Sequence, residues 1–204
     1  MRKKESTEKI FSASLRVFAT YGYKKTTVED IARELNMTKG NLYLYVKDKE
    51  DLYRKTVEFA LLRWQDYVRG AIEDKADPRD KFLIMCHKAV EYLSIDDDFR
   101  SILIHDPEIF PMFTDNDPYE KINNNSVNMI KKILKDGIAK GVFRPVGITA
   151  MSRRFFIFIR CLLSVCIFAV RNHMFALCSS RRWISLPMDC SNSSISSSIK
   201  YFYI

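Results

Sequence analysis

Apolar positions in the first half of the chain recur every three or four residues, the spacing that gives a helix one buried face. Phe11, Leu15 and Phe18 fall at i, i+4 and i+7, widened by Ile10, Val17 and Tyr21, and Gly22 offers a stop. Thr27 is placed to cap a second helix, with Asp30 three residues on as a relative of the capping box. Its apolar positions are Val28, Ile31, Ala32 and Leu35, and Asn36, which tolerates the left-handed conformation, ends it. Thr38 then caps a third helix whose buried positions are Leu42, Tyr45 and Val46. Two short amphipathic helices separated by so few residues must cross steeply, which predicts a helix-turn-helix. Asp48 caps a longer fourth helix through Leu52, Val57, Leu61 and Trp64, continuous to about Arg69.

With Leu42, Tyr45 and Val46 inward, the third helix and its flanks turn Thr38, Lys39, Gly40, Asn41, Tyr43, Leu44 and Lys47 outward. Helix-turn-helix proteins present the N-terminal part of this helix to the major groove. Lys39 and Asn41 can hydrogen-bond to base edges, Gly40 allows close backbone approach, and Leu44 suits a thymine methyl. Thr27, Tyr43, Lys47 and Lys49 read as phosphate contacts, which position without reading sequence. The alternative is that these are ordinary exposed residues of a small helical domain.

The order of the whole segment adds a second line of argument. Phe18-Ala19-Thr20-Tyr21-Gly22-Tyr23, then Thr26 to Ala32, Thr38 to Tyr43 and Tyr45 to Leu52, resembles the N-terminal signature of the TetR family in residue type and spacing. Val46 stands where many members have Phe and keeps the position apolar. The resemblance implies an all-α fold: a three-helix DNA-binding head over residues 1–48 and a helical regulatory body over residues 49–152. It also implies that two chains pair on a roughly palindromic double-stranded DNA operator. Repression would be released by a small effector bound in the body.

Charge fits that division. Residues 1–55 carry a net +5, residues 56–144 a net −3 and the remainder +6. A basic head on a mildly acidic body is the expected footprint of polyanion binding at one end.

In the body, Asp77-Pro78 marks a turn with Pro78 opening the next helix, whose stripe is Phe82, Met85, Cys86, Ala89, Val90 and Leu93. A polar break over Ser94–Asp98, a segment Phe99–His105 and a Pro-marked loop follow. A helix from about Pro118 to Lys140 is terminated by Gly141. The Gly137-x-x-x-Gly141 spacing lies among charged residues, which argues against a membrane dimer motif. Trp64, Tyr67, Met85, Tyr92, Phe99, Leu103, Phe110, Phe113 and Met129 are candidates to line a pocket for a small, largely apolar effector, with plain core packing the alternative for each. The three histidines are far apart in sequence and the five cysteines lack zinc-site or disulfide-framework spacing. No enzyme, metal or cofactor is expected.

The composition changes after about Arg153. Residues 145–204 hold one acid, Asp189, and four of the five cysteines, and Cys190–Ser198 is a low-complexity run that predicts disorder. Phe155–Val170 is apolar apart from Arg160 and Ser164. It reads as a buried or dimer-forming helix, as a short membrane segment, or as part of a stretch over 153–204 translated in a shifted frame. The last is favoured by the simultaneous change in acid, cysteine, serine and arginine usage, and it would weaken the dimer. A membrane-associated protein anchored by 155–170, or a C-terminally altered and non-functional regulator, are the competing readings. The charged start at Met1–Glu5 is no signal sequence, so a cytoplasmic protein off the membrane is expected.

Overall fold

A computed structural model of the chain describes residues 2–106, 109 and 117–171. Among them there are eight α-helices and no strand: α1 (Arg2–Lys25), α2 (Val28–Glu34), α3 (Lys39–Tyr43), α4 (Lys49–Glu73), α5 (Pro78–Ile95), α6 (Asp97–His105), α7 (Glu120–Ala139) and α8 (Ile148–Arg171). The all-α expectation holds. Phe110, Phe113 and the tail from residue 172 lie outside the described residues.

The chain packs as two compact units. The first comprises residues 1–67 and 92–122, the second residues 68–91 and 123–204. In the first unit α1 packs along α6 and touches α2. Leu15, Phe18, Ile31, Leu42, Leu52, Leu61, Phe99 and Ile102 are among its fully buried side chains. Each contributes about 1.5–3 kcal/mol of apolar burial. The Ser101 hydroxyl donates to the Ala19 carbonyl at 2.7 Å, pinning α6 to α1.

Two details of α1 differ from the sequence expectation. Gly22 adopts φ 76°, ψ 162° and breaks the helical path, but a further turn carries the helix to Lys25. Tyr21, expected in the buried stripe, is 60% exposed. The rings that do lie against Phe18 are those of Tyr23, which follows the break, and Tyr53 of α4, at 6.3 and 5.0 Å.

In the second unit α5 starts at Pro78 as expected, and Phe82 meets Phe155 edge-on with ring centres 4.7 Å apart. Helix α7 ends in a Schellman motif: the Val142 amide donates to the Gly137 carbonyl at 2.8 Å and the Gly141 amide to Ile138 at 3.1 Å, with Gly141 at φ 70°. The ring of Phe143 folds back onto Gly137 so closely that a β-carbon there would lie 2.0 Å from Phe143 Cδ2. The two glycines thus serve one helix ending. One reverses the chain and the other receives the ring.

Helix α8 begins before the apolar run, and its buried positions Ser152, Phe156, Ile159, Arg160 and Leu163 form a helical stripe while Arg153, Arg154 and Ile157 face outward. No helix among the described residues is long and apolar enough to cross a membrane.

Candidate nucleic-acid interface

The head is organised by capping. Thr27 sits extended (φ −110°, ψ 161°); its hydroxyl accepts from the Asp30 amide at 3.2 Å and its own amide donates to Asp30 Oδ2 at 2.9 Å. This reciprocal box satisfies donors that α2 leaves open. The hydrogen bonds from Thr27 hold the Asp30 carboxyl below its ordinary pKa. At the other end Asn36 takes φ 52°, the Met37 amide donates to Ala32 at 2.8 Å and the Asn36 amide to Arg33 at 3.0 Å. That is again a Schellman ending, with Asn in the role usually given to Gly.

The chain therefore leaves α2 in a fixed direction and starts α3 at once. The Thr38 hydroxyl accepts from the Asn41 amide at 3.2 Å. Short as it is, α3 is held by burial: Leu42 is fully enclosed and Val46 is 3% exposed. Tyr45, expected to be buried with them, is half-buried, and the Lys55 amine donates to its carbonyl at 3.0 Å.

Asp51 of α4 locks the far side of this corner. Its carboxylate accepts from the Lys47 amide at 3.0 Å and pairs with Arg54 at 2.6 Å and Lys55 at 2.8 Å, while the Asp51 amide donates to Asp48 at 2.8 Å. Burial pushes its pKa up, but the hydrogen bonds from Lys55, the Lys47 amide and Arg54 outweigh that and hold it at about 2. The acid is ionised throughout the neutral range and keeps Lys47 and the start of α4 in register.

What remains outside is the predicted surface. Thr27, Thr38, Lys39, Gly40, Asn41, Tyr43, Leu44 and Lys47 are all exposed, Leu44 to 81%. Lys49 is half-buried because its amine lies over the Tyr23 ring, 4.4 Å from the centre. Lys39 is engaged as well: it forms an ion pair with Glu29 of α2 and stands 5.8 Å from the Tyr43 ring. The partnership raises the Lys39 pKa and lowers that of Glu29. Periodicity along either helix does not reveal this pair, since its members belong to different helices ten residues apart. The surface as a whole offers amines, an amide, hydroxyls and an exposed leucine on one short helix and its flanks, the donor and apolar types that read base edges.

The other predicted set is divided. Trp64, Tyr67, Tyr92, Phe99 and Leu103 lie in the first unit, where Trp64 stacks on Phe99 at 6.2 Å and Tyr92 meets Phe99 edge-on at 5.7 Å. Met85 and Met129 lie in the second, Met85 buried and Met129 half-buried. A residue missed from sequence stands beside the rings. Asp96 caps α6 by accepting from the Phe99 amide at 2.9 Å, and also receives the Tyr92 hydroxyl at 2.8 Å and Arg63 at 3.1 Å. The signal was present in Ser94–Asp98, which read as a break but contains the cap.

Residues 10–56 match the family of bacterial regulatory proteins, tetR family. The chain is 28% identical over 145 residues to the HTH-type transcriptional regulator HbdR of Aromatoleum sp. (strain CIB); the match covers 70% of the chain and 62% of HbdR. Its fold is similar to that of the fatty acid degradation regulator FadR from Bacillus halodurans, with a TM-score of 0.69 at 20% identity over 84% of this chain and 89% of the other. It is likewise similar to Bacillus subtilis FadR in complex with stearoyl-CoA, with a TM-score of 0.66 at 22% identity over 83% and 91%. Residues 10–56 thus carry the helix-turn-helix domain of the tetR family of bacterial regulatory proteins, within an architecture that is all-helical among the described residues.

Proposed function

We propose that the chain is a ligand-responsive, DNA-binding transcriptional regulator that acts in the cytoplasm as a homodimeric repressor on a palindromic operator. The observation that carries this reading is the split of the α3 segment: Leu42 and Val46 point inward while Thr38, Lys39, Asn41, Tyr43, Leu44 and Lys47 face out. In this reading Lys39, Gly40, Asn41 and Leu44 meet base edges, with Thr38 at the head of the helix. Thr27, Tyr43, Lys47 and Lys49 grip phosphates. The head spans residues 1–48 and the regulatory body residues 49–152.

Selecting sites from a random duplex pool with purified protein tests it. Lys39→Ala or Asn41→Ala should alter preference at individual base pairs by about 1–3 kcal/mol. Tyr43→Ala or Lys49→Ala should weaken all duplexes alike, and each lost phosphate contact should make the slope of log K against log salt shallower by about 0.9. Unchanged binding across all four variants removes the contact assignment.

For the effector we propose a small, largely apolar molecule held among Trp64, Tyr67, Tyr92, Phe99 and Leu103. The apolar and aromatic character of these side chains supports an apolar rather than a charged ligand body, and a fold shared with a regulator bound to stearoyl-CoA points to acyl thioesters as the first class to try. Titration of an operator complex with acyl-CoA of graded chain length, against free coenzyme A, is the experiment. Release that does not depend on the acyl chain counts against this site.

A further inference from the structure

The first turn of α2 carries two acids with separate employments. Asp30 closes the cap with Thr27 and needs no help in doing so. Glu29 takes no part in that box. Its carboxylate reaches across the turn to the amine of Lys39, the first residue of α3. Both side chains are about half exposed, so the pair lies at the surface beside Asn41 and Tyr43 rather than in the core. An acid on a face meant for a polyanion opposes its attraction. The start of α2 favours a carboxylate there, but that preference does not require the carboxylate to reach across to Lys39.

We propose that Glu29 is a specificity-determining positioning residue: by holding the Lys39 amine against α2 it keeps that cation from seizing phosphates indiscriminately and releases it only to an acceptor on a base edge. The inference rests on the DNA-binding reading above. Its physical content is a competition. A lysine free to swing contributes one phosphate contact on any sequence, whereas a lysine tied to a carboxylate must exchange one partner for another. Only an acceptor placed within reach of the tethered amine makes that exchange favourable. General affinity is thereby lowered and the ratio between chosen and random sites is raised.

The test is Glu29→Gln, which keeps the shape and removes the charge. Binding to random-sequence duplex is followed by fluorescence anisotropy across a salt series, beside binding to a selected site. With Lys39 released to phosphate, random-duplex affinity should rise ~5-fold near 0.15 M salt and the salt slope should steepen by about 0.9. The ratio of selected to random affinity should fall by a similar factor. In a Lys39→Met background the same Glu29→Gln change should leave the slope alone, since no amine remains to be freed. A Glu29 whose role were only to support α2 would lower thermal stability when replaced and leave the slope untouched. As a readout independent of DNA, the Lys39 amine followed by NMR should titrate at lower pH in Glu29→Gln than in the parent. If the parent binds DNA with an ordinary salt slope and Glu29→Gln keeps that slope, this inference is overturned while the function stands. A parent with no salt-dependent duplex binding overturns both.

Discussion

Replacing Gly137 by alanine adds one methyl group, and the structure places it where a ring already is. The new Cβ would lie 2.0 Å from Phe143 Cδ2, 2.3 Å from Cε2 and 3.0 Å from Cγ. Carbon atoms rest at about 3.5–4.0 Å, so the ring must withdraw by roughly 1.5 Å. Phe143 is buried, and its ring cannot retreat without opening the end of α7. Overpacking of this size costs about 1–3 kcal/mol. Against it stands the helix preference of alanine over glycine, about 1 kcal/mol at most and smaller in a last turn. The net expectation is a loss of about 1–2 kcal/mol, equivalent to a fall of roughly 2–8 °C in Tm for a chain of this length. Urea unfolding followed by circular dichroism measures it. Phe143→Ala supplies the decisive comparison, because in that background Gly137→Ala should become neutral or stabilising by up to about 1 kcal/mol. Gly141→Ala provides the contrast: its φ of 70° makes alanine strained with nothing within 4 Å, so its cost of about 1–2 kcal/mol should not depend on Phe143. A stabilising Gly137→Ala in the parent, or equal effects with and without the ring, would refute the reasoning.

Two other measurements address the first unit. Asp51 has a depressed pKa when folded, so its contribution is complete above the unfolded value near 4 and is lost as pH falls toward about 2. A shift of nearly two units, discounted for the solvent exposure of Arg54 and Lys55, corresponds to about 1–2 kcal/mol. Asp51→Asn should remove that part of the acid dependence, seen in unfolding curves between pH 5 and 2, and an unchanged dependence would show that the pairs contribute nothing. Tyr53 donates its hydroxyl to Asp106 at 2.6 Å, and burial followed by that hydrogen bond raises its pKa above the ordinary phenol value. Tyr53→Phe should cost about 1–2 kcal/mol by urea unfolding, and the loss should shrink in an Asp106→Asn background; independent effects would dissolve the link.

Local chemistry carried much of the head. A threonine with an acid three residues later, an asparagine after an apolar stripe and a second threonine immediately following suffice to start, stop and restart a helix. Each device acts within a few residues of chain, so α2, the turn and α3 were legible with their caps, and the outward residues followed from the inward ones. The Gly137 and Gly141 pair was legible only as punctuation. That Phe143 folds back onto Gly137 depends on a chain reversal whose outcome no periodicity records.

What tertiary structure alone decided are the partnerships between distant segments. Tyr21 belonged to the α1 stripe by spacing but is exposed, and the rings against Phe18 come from Tyr23 and Tyr53. Asp96 looked like part of a polar break and became a cap joined to Arg63 and Tyr92. Lys39 looked like an available cation and is held by Glu29. The physical reason is common to all three. Helix and turn propensities act between near neighbours along the chain. The company a side chain keeps is set by which helices pack together, and that is known only after folding.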